Sequence, residues 1–283
     1  MLTESLPGQP VVCWAVATPP ELKAIRALRD LNVQIRKTPF AIYTHRERHE
    51  WVICTGVGTV AMSMGIGYLS GMMFEKDTCV WANVGVAGAR DKSIGSVWGV
   101  HKIESPGGTK RLYPGTVPLK GLKTAACRTV NAVESEYPES VLYDMEAFAF
   151  MSSVSRLVHI DGLALIKVVS DNRHQSVDNV TGRMIKDLLL NAESELQIVA
   201  GTLMEQAVER HQREQLPLNW VEASSVFNFT VAEQIRLRKL LRRWSILRPG
   251  HDLLSLMRDS SKDTVLDMLE EVLDDVPVEV TYD

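Results

Sequence analysis

The sequence predicts an α/β fold with parallel strand pairs, followed by a helical extension. Short apolar runs rich in β-branched residues alternate with stretches of helical apolar spacing, from residue 11 to about residue 212. This alternation is typical of a sheet with helices on its faces. Beyond residue 216 the pattern is helical throughout. We therefore expect an α/β domain over residues 1–215 and a helical extension over residues 216–283.

The elements of the α/β domain follow from these runs in order. Strands are predicted at residues 11–17, 40–45, 51–55, 78–83, 96–103, 123–133 and 163–169. Helices are predicted at about residues 19–31, 58–73 and 144–158, and one or two helices at residues 181–212. Residues 105–122, rich in Gly, Pro and Lys, are predicted to form a loop. The glycine-containing residues 85–88 are predicted to end the strand before them.

Composition excludes several classes of partner. Hydrophobic residues make up 45% of the chain and charged residues 23%, which is ordinary for a globular protein. A net charge of −4 gives no general attraction to nucleic acid or to an anionic membrane. No apolar run is long enough to span a bilayer, and residues 1–10 do not have the pattern of a signal peptide. We expect a cytoplasmic protein without a nucleic-acid or membrane partner.

The four cysteines predict neither a metal site nor a disulfide framework. Cys13, Cys54, Cys79 and Cys127 are far apart, and no pair has the spacing of metal ligands. Three of them lie inside apolar, strand-like runs. They are therefore interpreted as reduced core thiols, and we expect no metal and no cofactor.

The helical extension contains two segments of opposite charge. Thr230 and Glu233 form a capping-box pattern at the start of a basic helix. The apolar residues predicted to share one face of that helix are Val231, Ile235, Leu240, Leu241, Trp244 and Leu247. Residues 262–273 predict an acidic helix. Either the two helices pair, or the extension contacts another copy, or the basic stripe contacts nucleic acid; charge runs are usually solvated faces, which disfavours the last.

Four short segments contain polar or glycine residues that could form a site. Three of them follow predicted strands, where ligands bind in such sheets, and the fourth, which begins at Asp144, opens a predicted helix. The four segments contain Glu21, Gly56-Val57-Gly58, Asp144-Met145-Glu146 and Ser170-Asp171. Each segment alone has a structural explanation. Glu21 completes a capping box with Thr18, the glycines suit a tight strand–helix turn, and Asp144 and Asp171 suit helix N-termini. Glu146 is different, because a carboxylate among apolar neighbours needs a partner.

Taken together, these segments resemble the nucleoside phosphorylase and nucleosidase superfamily. The branch of 5′-methylthioadenosine/S-adenosylhomocysteine nucleosidases and futalosine hydrolases is the most similar. The resemblance covers about residues 11–212 and includes Ala17-Thr18-Pro19-Pro20-Glu21-Leu22, Thr55-Gly56-Val57-Gly58, Asn83-Val84-Gly85-Val86-Ala87-Gly88, Ile94-Gly95-Ser96-Val97, Asp144-Met145-Glu146-Ala147 and Val169-Ser170-Asp171. It implies a phosphorylase/hydrolase-like three-layer α/β/α fold with a twisted mixed central sheet.

The resemblance also implies a reaction, cleavage of the N-glycosidic bond of a purine nucleoside. Asp171 would protonate or hydrogen-bond N7 of the leaving base, and Glu21 would orient and deprotonate the attacking water. Glu146 would hold the ribose hydroxyls. The further substrate contacts implied are Met145 on the sugar, Val57, Gly85, Val86 and Ala87 on the nucleophile side, Val133 near the base, and Ser170.

One departure from the family pattern concerns the nucleophile. Phosphorylases of the superfamily have Arg and Ser at the positions of Asn83 and Val86, which form the phosphate cradle. A neutral Asn83 and an apolar Val86 make a poor anion site, so water is the expected nucleophile. Arg90 and Arg173 lie nearby in sequence and keep phosphate open as the alternative.

A second departure concerns the base. The family has an aromatic residue stacked on the purine where this chain has Val133, with Tyr113, Tyr143 and Phe148 as substitutes. We expect the substrate to be a 5′-modified adenosine-type nucleoside. Members of the family are commonly oligomeric, so the resemblance also implies a homodimer or larger homo-oligomer. Residues 62–73 suit a dimer face or a core helix equally well. A purine nucleoside phosphorylase and a non-catalytic nucleoside-binding protein are the alternative functions.

Overall fold

The computed structural model describes residues 11–73, 79–214 and 219–277, with only the backbone described for residues 210–214. The chain divides into two compact units, Met1–Arg213 and Glu214–Asp283. The predicted domain boundary falls within residues 215–218, and the predicted absence of a signal peptide concerns residues 1–10; both lie outside the described residues. No helix among the described residues is long and apolar enough to cross a membrane.

The first unit is built on a mixed sheet of ten described strands. These are β1 (Val11–Val16), β2 (Val33–Ile35), β3 (Ala41–Thr44), β4 (Glu50–Cys54), β5 (Cys79–Ala89), β6 (Val97–Glu104), β7 (Arg111–Leu112), β8 (Thr124–Thr129), β9 (Leu142–Asp144) and β10 (Leu163–Asn172). The order is β10-β6-β8-β9-β5-β1-β4-β3-β2, with β7 paired to β6. Because β5 also pairs with β10, five strands close into a ring.

Helices cover both faces of this sheet. They are α1 (Pro19–Arg29), α2 (Thr59–Met72), α3 (Ala147–Val154), α4 (Gly182–Leu190) and α5 (Glu193–Glu214). On one face α2 and α3 bury residues such as Ile66 and Phe150, and on the other α1 and α5 bury residues such as Ile25 and Leu203. The predicted three-layer α/β/α fold with a mixed sheet is confirmed.

Three parallel strands determine where polar groups meet. β1 pairs in parallel with β5, and β5 pairs in parallel with β10. Their carboxyl ends therefore lie at one edge of the sheet, where α/β proteins bind ligands. Glu21, in the first turn of α1 just after β1, and Asp171, near the end of β10, are brought to this edge from 150 positions apart in the sequence.

The structure corrects two strand predictions at this edge. Residues 85–88 do not end a strand, since β5 continues through them to Ala89. Asp171 does not follow β10 but lies within it, beyond a register shift between Val169 and Asp171. Bulges of this kind change the direction of side chains next to sites. The pattern of apolar residues alone therefore predicts both strands too short.

Three other boundaries also differ from the predictions. The strand predicted at residues 123–133 ends at Thr129. Asp144 ends β9 rather than opening a helix, and α3 begins at Ala147 and ends at Val154 rather than residue 158. The predicted loop at residues 105–122 contains β7 and a short 3-10 turn, Val117–Leu119. Residues 181–212, by contrast, agree with the prediction of one or two helices and form two, α4 and α5.

The second unit contains helices α6 (Trp220–Val226), α7 (Val231–Leu247), α8 (Leu253–Arg258) and α9 (Lys262–Asp274) around its own core. The predicted capping box of Thr230 and Glu233 is present. Val231 and Ile235, however, are 75% and 56% exposed, because the buried face of α7 is formed by Leu237, Leu240, Leu241 and Trp244. The prediction of one shared apolar face was wrong for these two residues.

The oppositely charged helices pair with each other, as the first interpretation predicts. Arg243 lies 2.6 Å from Asp274, and Arg236 lies 2.7 Å from Asp267 and also pairs with Glu270. All these side chains are substantially exposed to solvent. Each pair is therefore worth little on its own, but together they neutralise part of the basic side of α7.

Candidate active site

A cavity of about 270 Å³ lies at the edge where β1, β5 and β10 end. Nine of the ten predicted site residues line it, namely Glu21, Val57, Val86, Ala87, Val133, Met145, Glu146, Ser170 and Asp171. Gly85 is not part of the lining and lies beneath Glu21. The structure thus brings together side chains from β5, β10, α1 and three connecting segments.

Glu21 lines this cavity and is held in place by three backbone groups. Its Oε2 accepts hydrogen bonds from the backbone N–H groups of Ala17 at 2.9 Å and Thr18 at 2.8 Å. Its Oε1 accepts from the N–H of Val86 at 3.1 Å. Glu21 is therefore a capping residue and a cavity residue at once. A carboxylate has about four acceptor sites, so one is left for a ligand.

Glu146 lies in the wall of the same cavity and is 8% exposed. Its Oε1 accepts a hydrogen bond from the backbone N–H of Gly58 at 2.6 Å, which joins it to the glycine turn before α2. Burial, reinforced by the nearby Asp144 carboxylate, raises the pKa of Glu146 to about 7. The carboxyl group therefore changes charge near neutral pH.

A buried ion pair supports this wall, and sequence analysis did not predict it. Lys167, 1% exposed in the middle of β10, lies 2.8 Å from Asp144. Asp144 also accepts from the hydroxyl of Thr129 and from the N–H of Ala147. Burial alone would lower the pKa of Lys167, but the Asp144 and Glu146 carboxylates raise it above its ordinary value. The lysine is consequently a fixed positive charge behind Glu146.

Asp171 also lines the cavity, with both carboxylate oxygens hydrogen-bonded. The hydroxyl of Ser170 donates to Oδ1 and the hydroxyl of Tyr137 donates to Oδ2. Burial and the bond to Asp171 raise the pKa of Tyr137 above its ordinary value. Asp171 is thus presented to the cavity by two neutral donors.

Two glycines of β5 make room for these carboxylates. A Cβ atom at Gly85 would lie 2.7 Å from Oε1 of Glu21, and one at Gly88 would lie 2.6 Å from Oδ2 of Asp171. Real Cβ atoms essentially never come so close, so each carboxylate would have to shift to admit one. The glycines that sequence analysis took as the end of a strand are therefore needed where the strand passes beneath both acids.

The cavity is acidic and otherwise apolar. Among the described residues, the lining contains five carboxylates, on Glu21, Glu134, Asp144, Glu146 and Asp171, and no Lys, Arg or His. The remaining lining is largely aliphatic and includes Val57, Val130, Val133, Val177, Val180 and Ile185. Such a site disfavours anionic ligands and suits a neutral or cationic molecule with apolar parts.

The side chains considered for phosphate binding lie elsewhere. Asn83 is buried and donates to the carbonyl of Ala15 at 3.1 Å. Arg173 pairs with Asp91 at 2.6 Å, and Arg90 lies 3.6 Å from the same carboxylate. None of the three lines the cavity. The N–H of Val86 is already used by Glu21, so the anion held at this turn is the protein's own carboxylate.

Of the aromatic substitutes for Val133, one lies in the cavity. Tyr143 lines it, whereas Phe148 packs against the core and Tyr113 is 58% exposed outside the lining. Tyr143 also contacts the ring of Tyr137 edge-on, with centroids 5.9 Å apart. Val133 itself is 59% exposed at the rim.

Sequence analysis missed Lys167 and Tyr137, for different reasons. Lys167 interrupts an apolar run, and a charge in a buried strand requires a partner; that signal was available. Tyr137 stands in a polar segment without periodicity, and its contact with Asp171 spans 34 positions. Nothing local marks it.

The described residues include no group of three or more His, Cys, Asp or Glu side chains placed to hold a metal ion. The four cysteines are thiols rather than disulfides; Cys13, Cys79 and Cys127 are buried and Cys54 is partly exposed.

No protein-family model and no curated protein matches the sequence. Solved structures do match it. The chain is similar to Arabidopsis thaliana 5′-methylthioadenosine nucleosidase, with a TM-score of 0.57 and 17% identity over 69% of this chain and 97% of that one. The chain has the nucleosidase fold.

Two Helicobacter pylori enzymes give the same result. The 5′-methylthioadenosine/S-adenosylhomocysteine nucleosidase matches with a TM-score of 0.57 and 11% identity, over 68% of this chain and 98% of that one. Futalosine hydrolase matches with a TM-score of 0.57 and 10% identity, over 68% and 97%. At these identities the likeness concerns the fold.

Proposed function

We propose that this protein is a nucleosidase that hydrolyses the N-glycosidic bond of a purine nucleoside, with a 5′-modified adenosine-type nucleoside as substrate. One observation carries the proposal. Glu21, Glu146 and Asp171 come from distant segments and line one cavity at the carboxyl edge of a sheet with the nucleosidase fold. Glycoside hydrolysis passes through an oxocarbenium-like transition state that needs a leaving-group acid and a water-activating carboxylate.

Each carboxylate has a separate task in this reaction. Asp171 hydrogen-bonds or protonates N7 of the purine, so that the base leaves without carrying full negative charge. Glu146 accepts hydrogen bonds from the ribose hydroxyls, and Met145 packs on the sugar. Glu21 orients the water and takes its proton. Holding sugar and water in reactive geometry contributes to the rate as much as acid–base chemistry does.

The remaining cavity residues surround the substrate. Val57, Val86 and Ala87 wall the nucleophile side, with Gly85 beneath them, while Ser170 and Val133 lie near the base. The aliphatic lining of Val177, Val180 and Ile185 supports an apolar 5′ substituent. The acidic lining argues against a 5′-phosphate, because five carboxylates would repel it.

Water is the proposed nucleophile rather than phosphate. Phosphorolysis requires an anion to sit beside Glu21, where the cavity lining supplies no cation. The backbone N–H of Val86, which could cradle a phosphate oxygen, donates to Glu21 instead. Both features favour a neutral nucleophile.

Incubation with purine nucleosides tests the proposal. The purified protein is mixed with methylthioadenosine, S-adenosylhomocysteine or adenosine, with and without phosphate, and the products are separated chromatographically. We expect free base and free sugar at a rate independent of phosphate. Strict phosphate dependence with a sugar-1-phosphate product would establish a phosphorylase. Tight nucleoside binding without base release, unchanged in D171N, would establish a non-catalytic binding protein.

We also propose that the protein forms a homodimer or larger homo-oligomer through α2. Met62 is buried in the core, but Val60 and Met64 are 71% and 62% exposed on the other side of the helix. This apolar surface adjoins the Gly58 turn that contacts Glu146. Light scattering on the purified protein tests it, with V60K/M64K expected to give monomers.

A further inference from the structure

Tyr137 has no task in the proposed reaction, yet the surrounding fold is organised around its hydroxyl group. It lies in residues 130–141, all of which the structure describes and none of which is in a helix or strand. Its neighbours in this segment are exposed or half-buried, whereas Tyr137 is 2% exposed. Tyr137 is therefore the buried residue of the segment, while Glu139 ties the segment to Arg128 and to Tyr143.

The buried position of Tyr137 places two demands on the backbone. Tyr137 has a φ of 48°, in the left-handed region that an aromatic residue rarely adopts. A Cβ atom at Gly88 would lie 2.7 Å from the Cε1 atom of the ring, so the strand beneath must carry a glycine. A ring needed only to fill space would not require a strained backbone and an empty Cβ position.

We propose that Tyr137 is a positioning residue for Asp171. Its hydroxyl, together with that of Ser170, fixes the plane of the carboxylate and leaves the other acceptor sites of Asp171 directed at the base. A carboxylate has about four such sites, and two of them are taken by these hydroxyls. The inference rests on the proposed function, because it assigns Tyr137 a role in departure of the base.

The position of Tyr137 also couples this carboxylate to the cavity wall. Val130, Val133 and Glu134, from the same segment, line the cavity at its base end. A base that displaces this wall moves Tyr137 and so reorients Asp171. The base and the Asp171 carboxylate are therefore oriented together. A base of the wrong width would misplace the carboxylate, which makes the site selective for base size.

A double-mutant cycle on the full chain tests the proposal. Y137F removes only the hydroxyl and is expected to lower kcat/KM about 10- to 100-fold, as loss of a hydrogen bond to a charged group predicts. In the D171N background the same change is expected to cost nothing further, since there is no catalytic carboxylate left to aim. Y43F, at a partly buried tyrosine under Arg26 and outside the cavity, is the matched control and is expected to leave kcat/KM unchanged.

Two readouts that need no turnover separate this inference from the proposed function. Calorimetric binding of adenine is expected to weaken about tenfold or more in Y137F. Alkaline titration of tyrosine absorbance is expected to show one tyrosine ionising at lower pH in D171N than in the wild type. If adenine binding depends on Tyr137 as predicted but the wild-type protein releases no base, the proposed function is overturned and the inference about Tyr137 is not. Unchanged adenine binding and kcat/KM in Y137F, or equal losses in both backgrounds, overturns the inference.

Discussion

Glu146 is the residue whose charge the fold controls most closely. Burial raises its pKa from the ordinary 4.5 to about 7, so the folded protein favours the protonated form. Its contribution to stability is therefore fully present below about pH 4.5 and is lost as the pH rises through about 7. We predict that E146Q, which keeps the acceptor for Gly58, is more stable than the wild type by about 3 kcal/mol at pH 8 and by under about 1 kcal/mol at pH 5.

Urea unfolding at the two pH values measures this difference. E47Q, at an exposed carboxylate, serves as the control and is expected to show no such pH dependence. If E146Q gains equal stability at both pH values, titration of Glu146 is not the cause. The same substitution is expected to impair base release, because a Gln cannot accept from both ribose hydroxyls as a carboxylate does.

Lys167 and Asp144 form the ion pair on which the Glu146 wall depends. Removing one partner of a fully buried pair leaves an unpaired charge and costs about 3–5 kcal/mol. We predict this loss for K167M, together with a further rise in the pKa of Glu146, since the lysine charge lowers it. Chemical denaturation of K167M and of K167M/D144N checks the prediction.

The double variant is expected to recover part of the lost stability, because it removes the stranded carboxylate as well. K102M is a matched control at a partly exposed ion pair with Glu104, which keeps Arg128 as a partner, and should cost under about 1 kcal/mol. Equal losses in K167M and K102M would contradict the assignment of a buried, structural pair.

At the residue scale, the sequence predicted the acids but not what holds them. Glu21, Glu146 and Asp171 could be proposed because their order and spacing resemble those of a family. Their partners Val86, Gly58 and Tyr137 lie 65, 88 and 34 positions away. Such pairings arise only from sheet closure, for which a single sequence carries no local signal.

At the scale of elements, β5 is the strand on which the site depends. It passes beneath Glu21 at Gly85 and beneath Asp171 at Gly88, where no Cβ atom fits. We predict that G85A and G88A each lower kcat/KM more than about 100-fold and destabilise the protein by about 1–3 kcal/mol, as overpacking does. Steady-state kinetics and thermal unfolding measure the two effects.

A glycine with open space around it provides the comparison. A Cβ atom at Gly201, on α5, would have no heavy atom within 4 Å, so G201A is expected to leave activity unchanged and to stabilise the helix by about 0.5–1 kcal/mol. Activity in G85A or G88A close to that of the wild type would mean that the two acids can shift without loss, and would contradict the close packing proposed here.

Element boundaries were predictable only where local chemistry marks them. The capping box at Thr230 and the turn before α2 were placed correctly from sequence. The glycines of β5 and the bulge before Asp171 were not, because glycine marks both strand ends and close approaches. Whether a glycine of β5 marks a strand end or a close approach depends on the carboxylates of α1 and β10, which lie far from it in sequence.

At the scale of the whole molecule, the chain has two units with separate cores. The apolar clusters of the sheet layers contain residues up to Ala207, and the cluster of α6 to α9 begins at Ala223. Basic residues outnumber acidic ones five to one on α7, and the ratio is reversed on α9. Because the two helices pair, much of the charge on each is balanced within the unit.

The separate cores lead to a prediction about truncation. All residues lining the cavity lie between Ala17 and Ile185, and the helices that cover the sheet end at Glu214. A chain that stops after residue 218 is therefore expected to fold and to release base with a kcat/KM within about twofold of the full chain. Circular dichroism and the base-release assay test this together. A truncated protein that folds but releases no base would show that the helical unit contributes to the reaction. If the truncated protein binds duplex DNA less well than the full chain, the basic residues of α7 form a nucleic-acid contact surface.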